Sequence, residues 1–358
     1  FNYVYIIYMD IRRIRVDNDF KYIHKKTKKR INKRHLKRIK SLRIPPSYKK
    51  VKISSDPKSK VQVIGEDDLG RKQYIYNPKF IEEQQEIKFQ DLIMFGKKIK
   101  RIRRDYKSII ESNLPITNKN KLISIILYLL DNCRFRIGSE EYKKKYNTYG
   151  ATTLNTSHIL FEKDSAEIKF TGKKSVENVS KIKSNSVVKI LQELCKQNDG
   201  KEYLFYYIDN QGEQNNITAG QVTTYLKKYN KNLMPKMFRT WNGNSILLKQ
   251  LIQKGIPKNE KEVKSNLREA IKKVAYELHN TVAVSKKSYC NSEIYTTYLN
   301  NNKMFFDFID MNRKENGEKK STDRILSLFL EKYYKNLGKE IPENKNSSFI
   351  NKMLTYIK

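Results

Sequence analysis

Tyr289 closes the stretch VAVSKKSY, behind two lysines and two serines, as one of 24 tyrosines in a chain of 358 residues. Alone it reads as packing with a wet hydroxyl. Four other stretches change its meaning. RFRIGSEEY carries Arg136, FTGKKS carries Lys173, PKMFRTW carries Lys236 and Arg239, and LHNTVAVSKKSY carries Asn280 ahead of Tyr289. Two arginines, a lysine at a turn, an amide and a tyrosine are the side chains that a metal-free phosphoryl transfer requires. A phosphodiester attacked by a phenol gathers charge on its non-bridging oxygens, and two guanidinium forks can meet those oxygens in bidentate fashion. The departing 5′ oxygen of a deoxyribose is a poor leaving group and needs a proton from a positioned acid, which a lysine beside an arginine can supply. The phosphotyrosyl ester is close in energy to the bond it replaces, so resealing needs no nucleotide.

In this order and spacing the motifs resemble the type IB DNA topoisomerases of the poxvirus and bacterial kind, over residues 42–298. IPPSYKKV and GRKQYIYNP resemble the small N-terminal domain of that family, and RFRIGSEEYKKKYNTYGATTL, FRTW and NTVAVSKKSY its catalytic domain. The resemblance implies that Arg136 and Arg239 bind phosphate, that Lys173 and Lys236 are the catalytic lysines with Lys173 the general acid, and that Tyr289 is the nucleophile. The fifth position is often histidine in the family. Here it is Asn280, as in bacterial-type members, and His279 is one residue off register. Lys174, next to Lys173, leaves that assignment open by one residue. The resemblance also implies DNA contacts from Gln73, Tyr74 and Tyr76 on a strand and from Tyr142 beyond Arg136; the plain reading of the three strand residues is sheet surface. A tyrosine site-specific recombinase shares this chemistry, but that class carries His-x-x-Arg where this chain has Lys236-x-x-Arg239. A non-catalytic DNA-binding descendant would have lost an arginine, lysine or tyrosine of the set, and none is missing.

The elements that must position these residues follow from pattern. KVQVIG and KQYIY alternate apolar and polar residues about EDDLG, which predicts a hairpin closed at Gly70. HILFEK, IKFTG and VENVSKI predict a second group of strands, with Lys173 at a turn between two of them. FQDLIMFGKKIKRIRRDYKSII, NKNKLISIILYLLDNC and SVVKILQELCK are helical, and NGEKKSTD is a loop. The expected fold is α+β: a small β-rich N-terminal domain and a larger, mainly α catalytic domain of the tyrosine recombinase and topoisomerase IB type, together clamping duplex DNA. The expected boundaries are a basic arm over residues 1–40, the N-terminal domain over 41–82 and the catalytic domain over 83–358. Residues 21–40 hold eleven Lys/Arg and no acid. Repulsion favours a solvated arm or a helix ordered on phosphates, and a contribution to the N-terminal sheet stays open.

Composition sets the partner. Lys+Arg number 74 against 38 Asp+Glu, a formal charge of +36, which points first to nucleic acid and second to an anionic surface. No run approaches the roughly 18 apolar residues of a membrane span. The opening FNYVYIIYM is too short for a secretory signal, and Met9 is read as the translational start with residues 1–8 upstream of it. Three scattered cysteines, four histidines without ligand spacing and no phosphate-binding glycine loop predict no disulfide framework, no metal and no nucleotide cofactor. The expected partner is double-stranded DNA, with no membrane and no obligate protein partner, for a monomer inside the cell. The host cytoplasm or virion fits a viral source, which the Lys-, Asn- and Ile-rich composition favours; the nucleoid fits a bacterial one.

Overall fold

The chain divides into two compact units, the second beginning at Phe89. A computed structural model describes residues 9–336 apart from 18, 199, 201, 210, 316 and 317. Residues 1–8, including the expected upstream segment, lie outside the described residues.

The first unit is a five-stranded antiparallel sheet in the order β2-β1-β3-β4-β5. Its strands are β1 (Ile11–Val16), β2 (Asp19–His24), β3 (Lys49–Ile53), β4 (Val61–Glu66) and β5 (Lys72–Tyr76). Helix α1 (Lys33–Ser41) lies between β2 and β3 in sequence, with Asn32 capping its first turn through the His35 amide at 2.9 Å. The basic stretch is therefore no free arm: residues 11–24 supply two strands and residues 33–41 a helix. Alternation decides this. Ile11 on β1 and Ile39 on α1 are buried in one cluster with Val51, Ile53 and Val63, so enough apolar surface hides behind the charges to order the segment.

Cross-strand register sorts this sheet into two faces. His24, Ile11, Ile53, Val63 and Ile75 stand opposite one another in one row. The His24 ring lies 6.5 Å from His35 of α1, and Ile39 shares the cluster of Ile11, Ile53 and Val63, so α1 covers this face. The neighbouring row, Ile23, Arg12, Lys52, Ile64 and Tyr74, faces the other way.

The second unit is mainly helical. Helix α2 (Pro78–Glu111) begins in the first unit and runs into it, followed by α3 (Lys119–Asn132) and the short α4 (Glu140–Tyr146). A three-stranded sheet comes next, β6 (Ile159–Glu162), β7 (Ser165–Gly172) and β8 (Val176–Ile182), in that spatial order. After α5 (Asn185–Lys196), a small hairpin of β9 (Tyr206–Ile208) and β10 (Gln214–Asn216) precedes α6 (Ala219–Lys227). The remaining helices are α7 (Lys236–Lys254), α8 (Glu260–Glu277), α9 (Val282–Ser288), α10 (Ser292–Asn300), α11 (Asn302–Met311) and α12 (Thr322–Asn336). The stretch expected as a plain loop, NGEKKSTD, contains the two-residue strand Glu318–Lys319 paired with Lys314–Glu315.

Helix α3 is apolar nearly all round and sits in the core, which fixes the loop that leaves it. Helix α7 is held from behind by buried polar groups. Arg103 on α2 meets Asp131 on α3 at 2.7 and 2.9 Å and also pairs with Asp323 on α12. From α7, Trp241 Nε1 donates to Asp323 at 2.9 Å and Asn242 Nδ2 donates to the Asp131 carbonyl oxygen at 2.7 Å. A buried carboxylate is tolerable only with its lone pairs satisfied, and Asp131 also accepts from the Tyr106 hydroxyl at 2.9 Å. Trp241 lies so close to α2 that a Cβ on Gly96 would fall 2.5 Å from its ring. No helix among the described residues is long and apolar enough to cross a membrane.

Candidate active site

Arg136 lies in the loop between α3 and α4. The loop turns at Arg134 (φ 57°) and Gly138 (φ 97°) and is pinned by Ala151 and Thr152 amides donating to the Arg136 and Ile137 carbonyls, each at 2.8 Å. Gly150 permits that approach: a Cβ there would sit 2.5 Å from the Gly138 nitrogen and 2.7 Å from the Arg136 oxygen. Arg136 Nη2 donates to Asn280 Oδ1 at 2.9 Å, across 144 residues of sequence. The Asn280 Nδ2 donor is buried and has no protein partner among the described residues.

Arg239 projects from the first turn of α7 and is 2 % exposed. It donates to the Leu278 carbonyl at 2.6 Å and to the Arg134 carbonyl, while its Nε is buried without a partner among the described residues. Burial first, and then repulsion from Arg136, lower its pKa to about 10. Two buried donors without a protein partner among the described residues suit an acceptor, and beside two arginines an anion is the acceptor they select.

Tyr289 caps α9, and its ring centroid lies 5.3 Å from the Arg239 guanidinium carbon. Burial raises the phenol pKa, but Arg239 and then Arg136 outweigh it, so the phenol is more acidic than an ordinary tyrosine. Helix α7 also fixes the backbone here. Asn244, fully buried, donates to the Tyr289 carbonyl at 2.9 Å and to the Thr240 carbonyl at 2.8 Å, and accepts from the Asn291 amide at 2.6 Å. Gly243 leaves room for the Tyr289 Cβ, which would lie 3.3 Å from an added methyl. Sequence reasoning missed Asn244, since a side chain that grips a distant carbonyl has no spacing signature. Asn244→Ala is expected to leave the Tyr289 carbonyl unpaired and to destabilise the fold by about 1–3 kcal/mol. Asn244→Asp should not rescue, because an ionised carboxylate cannot donate to that carbonyl. Denaturant unfolding checks the effect.

Arg136, Arg239, Asn280 and Tyr289 thus converge. The two lysines do not join them. Lys173 is exposed at the tip of the β7–β8 hairpin, where Lys174 and Ser175 are both left-handed (φ 63° and 57°), and it has no hydrogen bond or ion pair among the described residues. Lys236 is exposed one turn before Arg239, within electrostatic reach of Asp91. Burial raises that carboxyl to about 6, against opposing pulls from Lys236 and an Asn232 hydrogen bond. His279 ends α8 in a left-handed turn (φ 49°), with its pKa lowered by burial and by Arg239. Cys133 and Trp241 are core residues.

Residues 77–316 match the family described as eukaryotic DNA topoisomerase I, catalytic core, and residues 19–67 match the bacterial DNA topoisomerase IB N-terminal domain. The DNA topoisomerase 1B of Acanthamoeba polyphaga mimivirus is 30% identical over 305 residues, 83% of this chain and 90% of that protein. This chain belongs to the type IB DNA topoisomerases. The DNA topoisomerase 1B of vaccinia virus (strain Copenhagen) is 25% identical over 240 residues, covering 64% of this chain and 70% of its own length. DNA topoisomerase 1 of Mycosarcoma maydis is 27% identical over 173 residues, 44% of this chain and 17% of its own. The N-terminal match includes part of the basic stretch, in keeping with its place in the sheet.

A type IB topoisomerase binds DNA, and each unit displays candidate contacts. Tyr74 is 43% exposed and stacks on Tyr76 at 6.3 Å. Its cross-strand row brings up exposed Arg12 and Lys52, which sequence reasoning did not single out because neither β1 nor β3 was recognised as a strand. Gln73 points to the α1 side with Ile75, and its amide donates to Asp67 at 2.9 Å. The three sequence-chosen residues of β5 are therefore not one surface. Tyr142, 48% exposed on α4, lies 5.7 Å from Tyr146 between ring centres. The next residue, Lys143, anchors that helix by pairing with Glu202 at 2.5 Å and lying 4.1 Å over Tyr203.

Proposed function

We propose that this topoisomerase relaxes supercoiled duplex DNA by transient cleavage of one strand, through a 3′-phosphotyrosyl intermediate on Tyr289. Arg136 and Arg239 hold the non-bridging oxygens, Asn280 Nδ2 donates to one of them, and Lys173 protonates the departing 5′ oxygen. As the Tyr289 oxygen bonds to phosphorus and gives up its phenolic proton to water, the bond from phosphorus to the 5′ oxygen breaks, and that oxygen takes the lysine proton. Religation is the reverse, with the 5′ hydroxyl attacking the phosphotyrosine, Lys173 recovering its proton and the departing Tyr289 oxygen regaining one from water. Lys236 assists from the first turn of α7. The observation that carries this reading is the convergence of two guanidiniums, an unpaired buried amide donor and an acidified phenol in one cluster.

The Tyr74 and Tyr76 face, extended by Arg12 and Lys52, takes the duplex in the N-terminal unit, and Tyr142 contacts it from the catalytic unit. Gln73 contributes only if its bond to Asp67 opens. A clamp formed around the duplex by the N-terminal and catalytic units together is part of the proposal. So are a monomeric enzyme without an obligate protein partner and a place of action inside the cell, in the host cytoplasm or virion if the source is viral as the mimivirus and vaccinia relatives are. A bacterial source would put it in the nucleoid.

Charge stabilisation and proton transfer are both supplied by side chains here, so relaxation should proceed in EDTA without nucleotide. Agarose-gel relaxation of a negatively supercoiled plasmid tests this. Strict dependence on a divalent cation or ATP would overturn the reading.

A further inference from the structure

We infer that the ion pair between Arg134 and Glu277 is a positioning element of the active site, holding two backbone segments at the spacing that aims Arg239. The inference rests on the proposed role of Arg239 at the scissile phosphate.

Arg134 follows α3 in the loop that carries Arg136, and Glu277 ends α8 just ahead of Asn280. Arg134 Nη1 meets Glu277 Oε2 at 2.9 Å. The same two segments are joined twice more. Arg136 donates to Asn280 at 2.9 Å, and Arg239 reaches from α7 to a carbonyl oxygen on each segment. Those two acceptors belong to Arg134 itself and to Leu278, the residue after Glu277. A hydrogen bond weakens steeply as its angle closes, so the spacing of the two carbonyls decides where the Arg239 guanidinium points. The Arg134–Glu277 contact spans that spacing directly.

Backbone conformation points the same way. Arg134 (φ 57°) and His279 (φ 49°) are both left-handed, one on each segment. A residue with a Cβ keeps such a turn only where its surroundings hold it. At Arg134 the side chain supplies the hold, since Nη1 also donates to the Asn132 carbonyl at 3.2 Å and so ties the turn to itself and to α8. The two side chains are 29% and 22% exposed, so water screens them less than a surface pair. Burial pushes the Glu277 carboxyl up, but Lys273, at 2.8 Å, and Arg134 outweigh it, and Glu277 faces Arg134 as a carboxylate. Stability alone does not account for the pair. Arg134 Nε is buried without a protein partner among the described residues, and apolar side chains fill such a place at lower cost. A carboxylate at the edge of a phosphate-binding cluster also opposes DNA binding. What the pair adds is a fixed distance between two loops that apolar packing would leave adjustable.

The test uses the full chain in single-turnover cleavage of a short duplex, with DNA binding and thermal unfolding measured alongside. Charge and positioning predict opposite signs for Glu277→Ala, which keeps a good helix former at the end of α8. On charge alone, losing a carboxylate beside phosphate should tighten binding and leave cleavage no slower. If the pair aims Arg239, this variant should cut roughly 10- to 10²-fold more slowly while binding DNA at least as tightly. Arg134→Gln should show the same loss, and the double variant should be no slower than either single one, because the two side chains act as a unit. Arg134→Gly takes up the left-handed turn without strain, so its fold should hold, yet it should still be slow because the tie to α8 is gone. Normal cleavage by Glu277→Ala or Arg134→Gly, additive losses in the double variant, or a loss in Arg134→Gln confined to DNA affinity would each overturn the inference. Arg239→Ala separates the two readings. If it cuts at the wild-type rate, the proposed site fails whatever the pair does; if it is slow and Glu277→Ala is not, the inference alone fails.

Discussion

Tyr289→Phe should yield no covalent protein–DNA complex and no relaxation, with the cleavage rate down by at least ~10⁶-fold, the lower range of enzymatic acceleration. The substitution removes one oxygen. The ring stays beside the Arg239 guanidinium, and the backbone bond from Asn244 stays made, so the fold and the affinity for duplex DNA should hold. The two tyrosines that follow it in sequence are poor substitutes. Tyr298 is fully buried, and its hydroxyl accepts from Asn266 at 3.3 Å. Tyr295 has a phenol pKa raised by burial, the opposite of Tyr289. Residual cleavage by Tyr289→Phe with normal kinetics would move the nucleophile elsewhere.

Lys173→Ala should slow cleavage by roughly 10²–10⁴-fold, the usual contribution of a general acid. On a substrate whose bridging 5′ oxygen is replaced by sulfur, the same variant should approach the wild-type rate, because a thiolate leaves without a proton. Arg136→Ala should show no such selective rescue, since its proposed task is charge stabilisation at the non-bridging oxygens. The experiment also resolves the neighbouring lysine. Rescue of Lys174→Ala or Lys236→Ala in place of Lys173→Ala would transfer the role. This test is decisive for Lys173, which stands exposed at a hairpin tip and does not touch the cluster it is proposed to serve.

Much of the fold was open to reading from residue pattern. The β4–β5 hairpin follows from alternation about a turn at Gly70, and the β7–β8 turn that carries Lys173 follows from FTGKKS. Strands β1 and β2 were hidden by their own charge. IRRIRV and KYIH do place apolar residues periodically, but the density of Lys and Arg around them argued for solvation. What orders them is long-range pairing and burial of Ile11 and Ile39, which no local window reports. In the site, the side chains that face one another were nameable from motifs. Their supports were not. Arg239 is aimed by the carbonyl oxygens of Arg134 and Leu278, and Tyr289 is held by Asn244. Backbone acceptors are present at every residue, so only the folded chain selects which ones matter. Gln73 is a mixed case: alternation along KQYIY already sets it with Ile75, opposite Tyr74 and Tyr76, but its bond to Asp67 had no local signal.

The central claim is a covalent bond between Tyr289 and a 3′ phosphate. Stopping the wild-type protein on an end-labelled duplex with a protein denaturant should trap that bond. Label on the strand upstream of the nick should remain with protein, the downstream strand should be released with a free 5′ hydroxyl, and peptide mapping should place the nucleotide on Tyr289. Protein attached to the 5′ side, or a link at Tyr295 or Tyr298, would contradict the account.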